Sequence, residues 1–125
     1  MTPEPDTQTA EETDARHAAK MAKKKVARDI AAARAGWEKA KELILDQNLR
    51  MVVLDEINIA LRYDYLDIAE VVEFLTTQKP PMTHVVLTGR NAKDELIDIA
   101  DLVTEMTLVK HPFRSGIKAQ AGVEF

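Results

Sequence analysis

Asp55 and Glu56 close an apolar run, Met51-Val52-Val53-Leu54, and carboxylates at such a place are suited to holding a divalent cation. A short unbroken apolar run reads as a buried parallel strand, and open α/β sheets bind ligands just outside the carboxyl ends of their strands. Magnesium prefers oxygen ligands and keeps part of its water shell, so one strand-end carboxylate is enough to hold it beside phosphates. Side chains alternate along a regular strand, so only one of the two acids should face such a site. Acids at strand ends also serve as caps or ion-pair partners, and spacing alone leaves both uses open.

Two further segments carry candidate chemistry. Thr88-Gly89-Arg90-Asn91 follows a second apolar run, His84-Val85-Val86-Leu87. There Gly89 allows close backbone approach, while Arg90 and the start of the next helix would present positive charge to a phosphate. The plainer reading is a turn glycine, a solvated arginine and a capping asparagine. Lys110 and His111 form the third segment and are able to bind an anion; His111 precedes Pro112, where an extended backbone would equally let it satisfy a carbonyl.

Several chemistries are excluded. The chain has no cysteine, which removes disulfides, zinc-thiolate sites and thiol catalysis. No Gly-x-Ser-x-Gly elbow is present, and His17, His84 and His111 lack a metal-ligand spacing. The glycines, Gly36, Gly89, Gly116 and Gly122, are too scattered to form a Gly-x-x-x-x-Gly-Lys-Ser/Thr phosphate loop.

The elements that must position these groups follow from the apolar and proline pattern. From Ala15 to Asp46 there is no proline, alanine is abundant and Gly36 is the one poor helix former, so a long helix is expected, with Asn48 as its stop. Val26, Ile30, Ala33, Trp37, Ala40 and Ile44 recur every three or four residues, a stripe that must pack on a sheet or another helix, with Trp37 as a core anchor. A strand over 51–55 should lead into a loop containing Tyr63-Asp64-Tyr65. Asp67-Ile68-Ala69-Glu70 then has capping-box spacing and should open a helix through about Leu75. Pro80-Pro81 forbids its continuation; a second strand over 84–88 follows, then a helix capped by Asn91 through about Ala100, and a last strand near Leu102–Val109. Strands alternating with helices imply right-handed crossovers and a mainly parallel sheet.

At 125 residues and 14.0 kDa the chain suits one small domain, 15–125, preceded by an acidic tail over 1–14 expected to be disordered. A hydrophobic content of 46% with 30% charged residues is that of a soluble globular protein, and no apolar run approaches a membrane span. The N-terminus is acidic where a secretory signal would be basic, so a cytoplasmic location is expected. The net charge of −4 conceals segregation: 1–14 holds only acids, whereas 15–28 holds only bases, Arg16, Lys20, Lys23, Lys24, Lys25 and Arg28. A basic helical run suits nucleic acid or an acidic partner, but a solvated face is the commoner meaning, so nucleic acid is not expected.

Taken in order, these segments resemble the ATP:corrinoid adenosyltransferase family. The resemblance rests on Met51–Asn58, Tyr63-Asp64-Tyr65-Leu66, Glu70-Val71-Val72, Val85–Arg90, Asp98–Asp101, Val109–Phe113 and Gly116–Gly122, and covers about residues 30–125. It implies a P-loop-NTPase-like α/β fold and transfer of the 5′-deoxyadenosyl group of ATP to Co(I) of a corrinoid in cobalamin synthesis or salvage. It further implies magnesium-ATP as co-substrate. By resemblance Glu56, with Asp55 beside it, is a magnesium ligand and Arg90 lies at the ATP site. Lys110, His111 and the tail with Gly116, Lys118 and Gln120 match a C-terminal motif near that site.

The departure from the family pattern is specific. Members carry a basic helix, then a strand with the phosphate loop, further strands and an aromatic corrinoid-facing segment before the helix that matches Ile30–Leu45. Here Ala15–Asp29 resembles the basic helix and joins Ile30 directly, so the fold should be incomplete, with an apolar edge and face left open. Such a chain is expected to bind ATP weakly, and either to cover the open surface with its own long N-terminal helix or to associate with itself or with a homologue. The alternative reading is a catalytically inactive binding or assembly module.

Overall fold

In a computed structural model the chain is a mixed α/β protein, described over residues 10–112 together with Gly116 and Lys118. Helix α1 (Ala10–Leu45) runs 36 residues, about 54 Å at the α-helical rise. It passes through Arg28-Asp29-Ile30 without a break, so the junction inferred from the family pattern lies inside one helix. It also begins five residues ahead of the expected start, taking in Ala10–Asp14 with Glu11 and Glu12 in its first turn, where acids favour the positive end of the helix dipole. Gly36 interrupts nothing. The helix stops at Leu45 because the Asp46 carboxylate accepts the Asn48 backbone N–H at 2.9 Å; Asp46, rather than Asn48, provides the stop.

Strand β1 (Met51–Leu54) is followed by α2 (Ile57–Arg62), α3 (Ile68–Thr77), β2 (His84–Leu87) and α4 (Asp94–Ile99). The strands form a two-stranded parallel sheet in the register Met51↔His84, Val52↔Val85, Val53↔Val86 and Leu54↔Leu87. Paired residues share a face. Val52, Leu54, Val85 and Leu87 belong to the core, where they meet Trp37, Ala40 and Ile44 of α1 with Ile57, Leu61, Leu66, Val71, Phe74 and Leu96. Trp37 is buried against Phe74, ring centroids 5.4 Å apart in an edge-to-face pair, and is the core anchor its place in the stripe demands.

Asp67 caps α3 through its carboxylate, which accepts the Ala69 N–H at 3.0 Å. The other half of the expected box does not form: Glu70 instead meets Arg34 and Lys41 of α1 at 3.6 and 3.8 Å, tying the two helices together. The Pro80-Pro81 turn is held by Lys79, whose ammonium donates to the carbonyls of Pro80 and Thr83.

Three expectations require correction. Residues 57–62 form α2 rather than a loop, because Ile57, Asn58 and Leu61 recur at helical spacing and are buried on one side. Helix α4 is capped at Lys93 rather than Asn91; Asn91 takes a left-handed turn conformation, φ 57°, which displaces the helix start. The last strand does not form. Residues 102–108 lie outside any regular element and are exposed, because a strand needs a ladder partner and none of the described residues pairs with them. The other face of the sheet, Met51, Val53, His84 and Val86, is likewise exposed, which agrees with the expected open face.

Candidate functional site

The register places Asp55, one residue past Leu54, opposite Thr88, one residue past Leu87. The Thr88 hydroxyl donates to Asp55 Oδ1 at 3.0 Å, and Thr88 Oγ1 itself accepts the Glu56 backbone N–H at 3.0 Å. The strand ladder ends beside it, where the Thr88 N–H meets the Leu54 carbonyl at 3.3 Å. One hydroxyl thus fixes the backbone turn at the acid pair and the rotamer of its first carboxylate.

Glu56 itself is left-handed, φ 61° and ψ 21°. A non-glycine residue there costs free energy of order 1–3 kcal/mol and persists only where its surroundings over-determine it. Those surroundings are on the opposite turn. The Asn58 N–H donates to the Thr88 carbonyl at 3.3 Å, and its side-chain amide donates to the Gly89 carbonyl at 2.9 Å. Asn58 is 5% exposed, and its Oδ1 is buried with no hydrogen-bond partner among the described residues.

Gly89, at φ +123°, admits this approach because it lacks a side chain. A Cβ there would lie 2.9 Å from Asn58 Cβ and 3.3 Å from Glu56 Oε2. The Glu56 carboxylate therefore rests against the Gly89 backbone while that of Asp55 holds Thr88. Both acids meet the same turn, contrary to the alternation expected of a regular strand, because the strand ends at Leu54 and Glu56 reverses the chain. A second tie, Lys93 Nζ to Asp64 Oδ1 at 3.2 Å, joins the β2–α4 turn to the Tyr63-Asp64-Tyr65 loop, where the two tyrosine rings stack 5.7 Å apart.

The other expected site residues are not gathered here. Arg90 follows Gly89 and is exposed. Lys110, His111, Gly116 and Lys118 are exposed, and the hydrogen bonds that build the acid cluster involve none of them; Gln120 lies outside the described residues. Residue reasoning singled out Asp55, Glu56, Gly89 and Arg90 but gave Thr88 and Asn58 no role. Their roles depend on parallel register, and a one-residue slip would remove both contacts.

Among the described residues no cluster of three or more histidines and carboxylates could cage a metal ion. Two carboxylates beside a hydroxyl still suit magnesium, which binds through one or two protein carboxylates when substrate phosphates and water complete its shell.

Fold and turn together define an α/β protein whose parallel strands deliver acids and a close-approach glycine to one carboxyl edge. The family to which it belongs is that of the ATP:corrinoid adenosyltransferases BtuR/CobO/CobP, whose model matches residues 6–125. A corrinoid adenosyltransferase of Sinorhizobium sp. is 75% identical over 99 residues, which cover 79% of this chain and 46% of that protein. Corrinoid adenosyltransferases of Pseudomonas aeruginosa and Escherichia coli K12 are 53% and 41% identical, over 78% of this chain and 48% and 49% of their own lengths. The chain thus spans about half the length of these relatives. No helix among the described residues is long and apolar enough to cross a membrane.

Proposed function

We propose that this chain carries the carboxylate edge of a P-loop-NTPase-like corrinoid adenosyltransferase acting in cobalamin biosynthesis or salvage. In the reaction Co(I) of a reduced corrinoid attacks the ribose C5′ of ATP. A Co–C5′ bond forms, the C5′–O bond breaks, and triphosphate leaves with the electron pair. The reading is supported by one observation above others: in a member of this family, the turn bearing Asp55 and Glu56 is tied by hydrogen bonds through Thr88 and Asn58 to the facing turn that holds Gly89.

Glu56 is the principal magnesium ligand in this reading and Asp55 an auxiliary one, oriented by Thr88. Magnesium, when bound, neutralises charge on the leaving triphosphate. Arg90 contributes positive charge at the phosphates. Lys110, His111, Gly116, Lys118 and Gln120 belong to the C-terminal motif that the family resemblance assigns near the ATP site. The chain's contribution is positioning and electrostatics, since the corrinoid itself supplies the nucleophile. A homo-oligomer, or association with a homologue, would cover the open apolar face.

Adenosylcorrinoid formation from reduced corrinoid, ATP and magnesium tests the reading. Glu56→Gln should lower it about a hundredfold, the scale of losing one aligned electrostatic group, with the far-ultraviolet spectrum unchanged. Turnover that is indifferent to Glu56→Gln would sink the assignment. A second reading, an inactive module that binds a homologue, is favoured by the lack of a glycine-rich phosphate loop in the sequence. It predicts no turnover by this chain alone and an altered rate when a full-length homologue is added; turnover by the chain alone refutes it.

A further inference from the structure

The outer edge of β2 and the apolar segment after α4 leave a place for one more strand. His84 and Thr88 direct their N–H groups to the Arg50 and Leu54 carbonyls of the β1 side, at 2.8 and 3.3 Å. Alternation along a strand then turns the N–H and C=O groups of Val85 and Leu87 to the free edge. Helices α3 and α4 pack against each other, so α4 lies on the same side of the sheet as the β1–β2 crossover. Right-handed crossovers on one side advance in one direction, so the chain after α4 returns beyond β2 rather than beyond β1.

That returning segment has strand composition and no ladder. Leu102, Val103, Met106, Leu108 and Val109 are 83, 53, 93, 53 and 94% exposed. The adjoining sheet face is also open, with Met51 59%, Val53 55% and Val86 39% exposed. Unpaired strand edges and contiguous apolar surface are features that soluble proteins cover. The relatives are about twice as long as the matched region, so their full-length chains hold further polypeptide that this chain does not span.

We propose that the free edge of β2 and residues 102–109 form a docking slot for a parallel strand from a second polypeptide, equivalent to the half of the relatives that this chain does not span. The strand pairs with the Val85 and Leu87 backbone on one side and with 102–109 on the other, widening the sheet beyond β2. Because strands in such a sheet are parallel, the incoming strand ends beside Thr88-Gly89. This rests on the adenosyltransferase reading for the partner's identity, but not for the slot itself.

The test mixes the chain with the part of the Sinorhizobium relative outside the aligned 99 residues and follows amide hydrogen exchange. Capture should slow exchange at Val85, Leu87 and 103–109 by at least about tenfold, equivalent to ~1.4 kcal/mol of local stability. Val85→Pro removes a slot-facing donor and keeps the β1 ladder, as proline can on a strand edge, and should abolish capture. Met106→Glu alters a side chain that is 93% exposed, so the free chain keeps its fold while capture weakens.

Absence of capture, capture with protection elsewhere, or protection of 103–109 already present in the chain alone would each overturn the slot. Self-association that protects Val85 and Leu87 without the partner would identify a second copy as the occupant and overturn it too. Adenosylation is read separately: capture with the stated protection but no turnover counts against the enzymatic reading alone, whereas turnover without capture counts against the slot alone.

Discussion

Gly89→Ala isolates the close approach that brings the acid pair to the second strand. At φ +123° an L-residue occupies a region that costs roughly 1–3 kcal/mol, before any contact is counted. The new methyl would also sit 2.9 Å from Asn58 Cβ, well inside the roughly 3.5–4.0 Å optimum for two carbons. Asn58 is poorly able to retreat, because its amide and its backbone N–H both hold the opposite turn. Overpacking of this kind costs roughly another 1–3 kcal/mol, for a sum of about 2–6 kcal/mol. With a urea m-value of about 2 kcal/mol/M, the unfolding midpoint should fall by about 1–3 M. Gly36→Ala is the matched control, since it lies within α1 and a Cβ there meets nothing within 4 Å. It should stabilise by about 0.5–1 kcal/mol and raise the midpoint by about 0.3–0.5 M. A midpoint for Gly89→Ala at or above that of the unsubstituted chain would refute the close-approach argument, as would shifts of the same sign in both variants.

Thr88→Val keeps the shape of the side chain but removes the bonds to Glu56 N–H and Asp55; at about 0.5–1.5 kcal/mol per bond it should cost roughly 1–3 kcal/mol in urea unfolding. The same variant should weaken magnesium-ATP binding by calorimetry beyond the already weak affinity expected of a chain without a phosphate loop, and micromolar affinity in the unsubstituted chain would contradict that expectation. Asp67→Ala deletes the α3 cap and should cost about 1 kcal/mol, read as a lower thermal midpoint. Trp37→Ala should cost about 3–5 kcal/mol, with a loss of near-ultraviolet signal that reports the Trp37–Phe74 pair.

How much of this was legible in the sequence depends on the range of the interaction involved. The α1 stripe ending in Trp37, Ala40 and Ile44 could be read because helical periodicity is local. The Asp67 cap was legible for the same reason. Its partner Glu70 was not, since a distant pair of cations on α1 competes for that carboxylate. Helix α2 went unseen because six residues give too short a window for periodicity, and its buried Ile57 and Leu61 belong to a core assembled from distant parts of the chain rather than from flanking residues. At the site, the residue types of Asp55, Glu56 and Gly89 were visible, whereas the bonds from Thr88 and Asn58 depend on register between strands some 30 positions apart.

Segment 102–109 shows the limit from the opposite direction. Its residues satisfy every local criterion for a strand, yet a strand is stabilised by its ladder and by cross-strand pairs, not by propensity alone. Among the described residues the sheet holds β1 and β2 alone and no cross-strand neighbour covers Met106 or Val109, so the local preference is not realised. The same reasoning applies to α1. Its apolar stripe continues past the core as Ile30 and Val26, 36% and 44% exposed, because the two-stranded sheet ends before the helix does. Both mismatches have one physical origin: these segments carry the surface pattern of a wider sheet than this chain builds by itself. A cover that restored sheet width beside β2 would address the strand-like segment directly. Val26 and Ile30 would be buried only if the added layer also reached under the first half of α1, so exchange or accessibility at those two residues separates a narrow edge contact from completion of the fold.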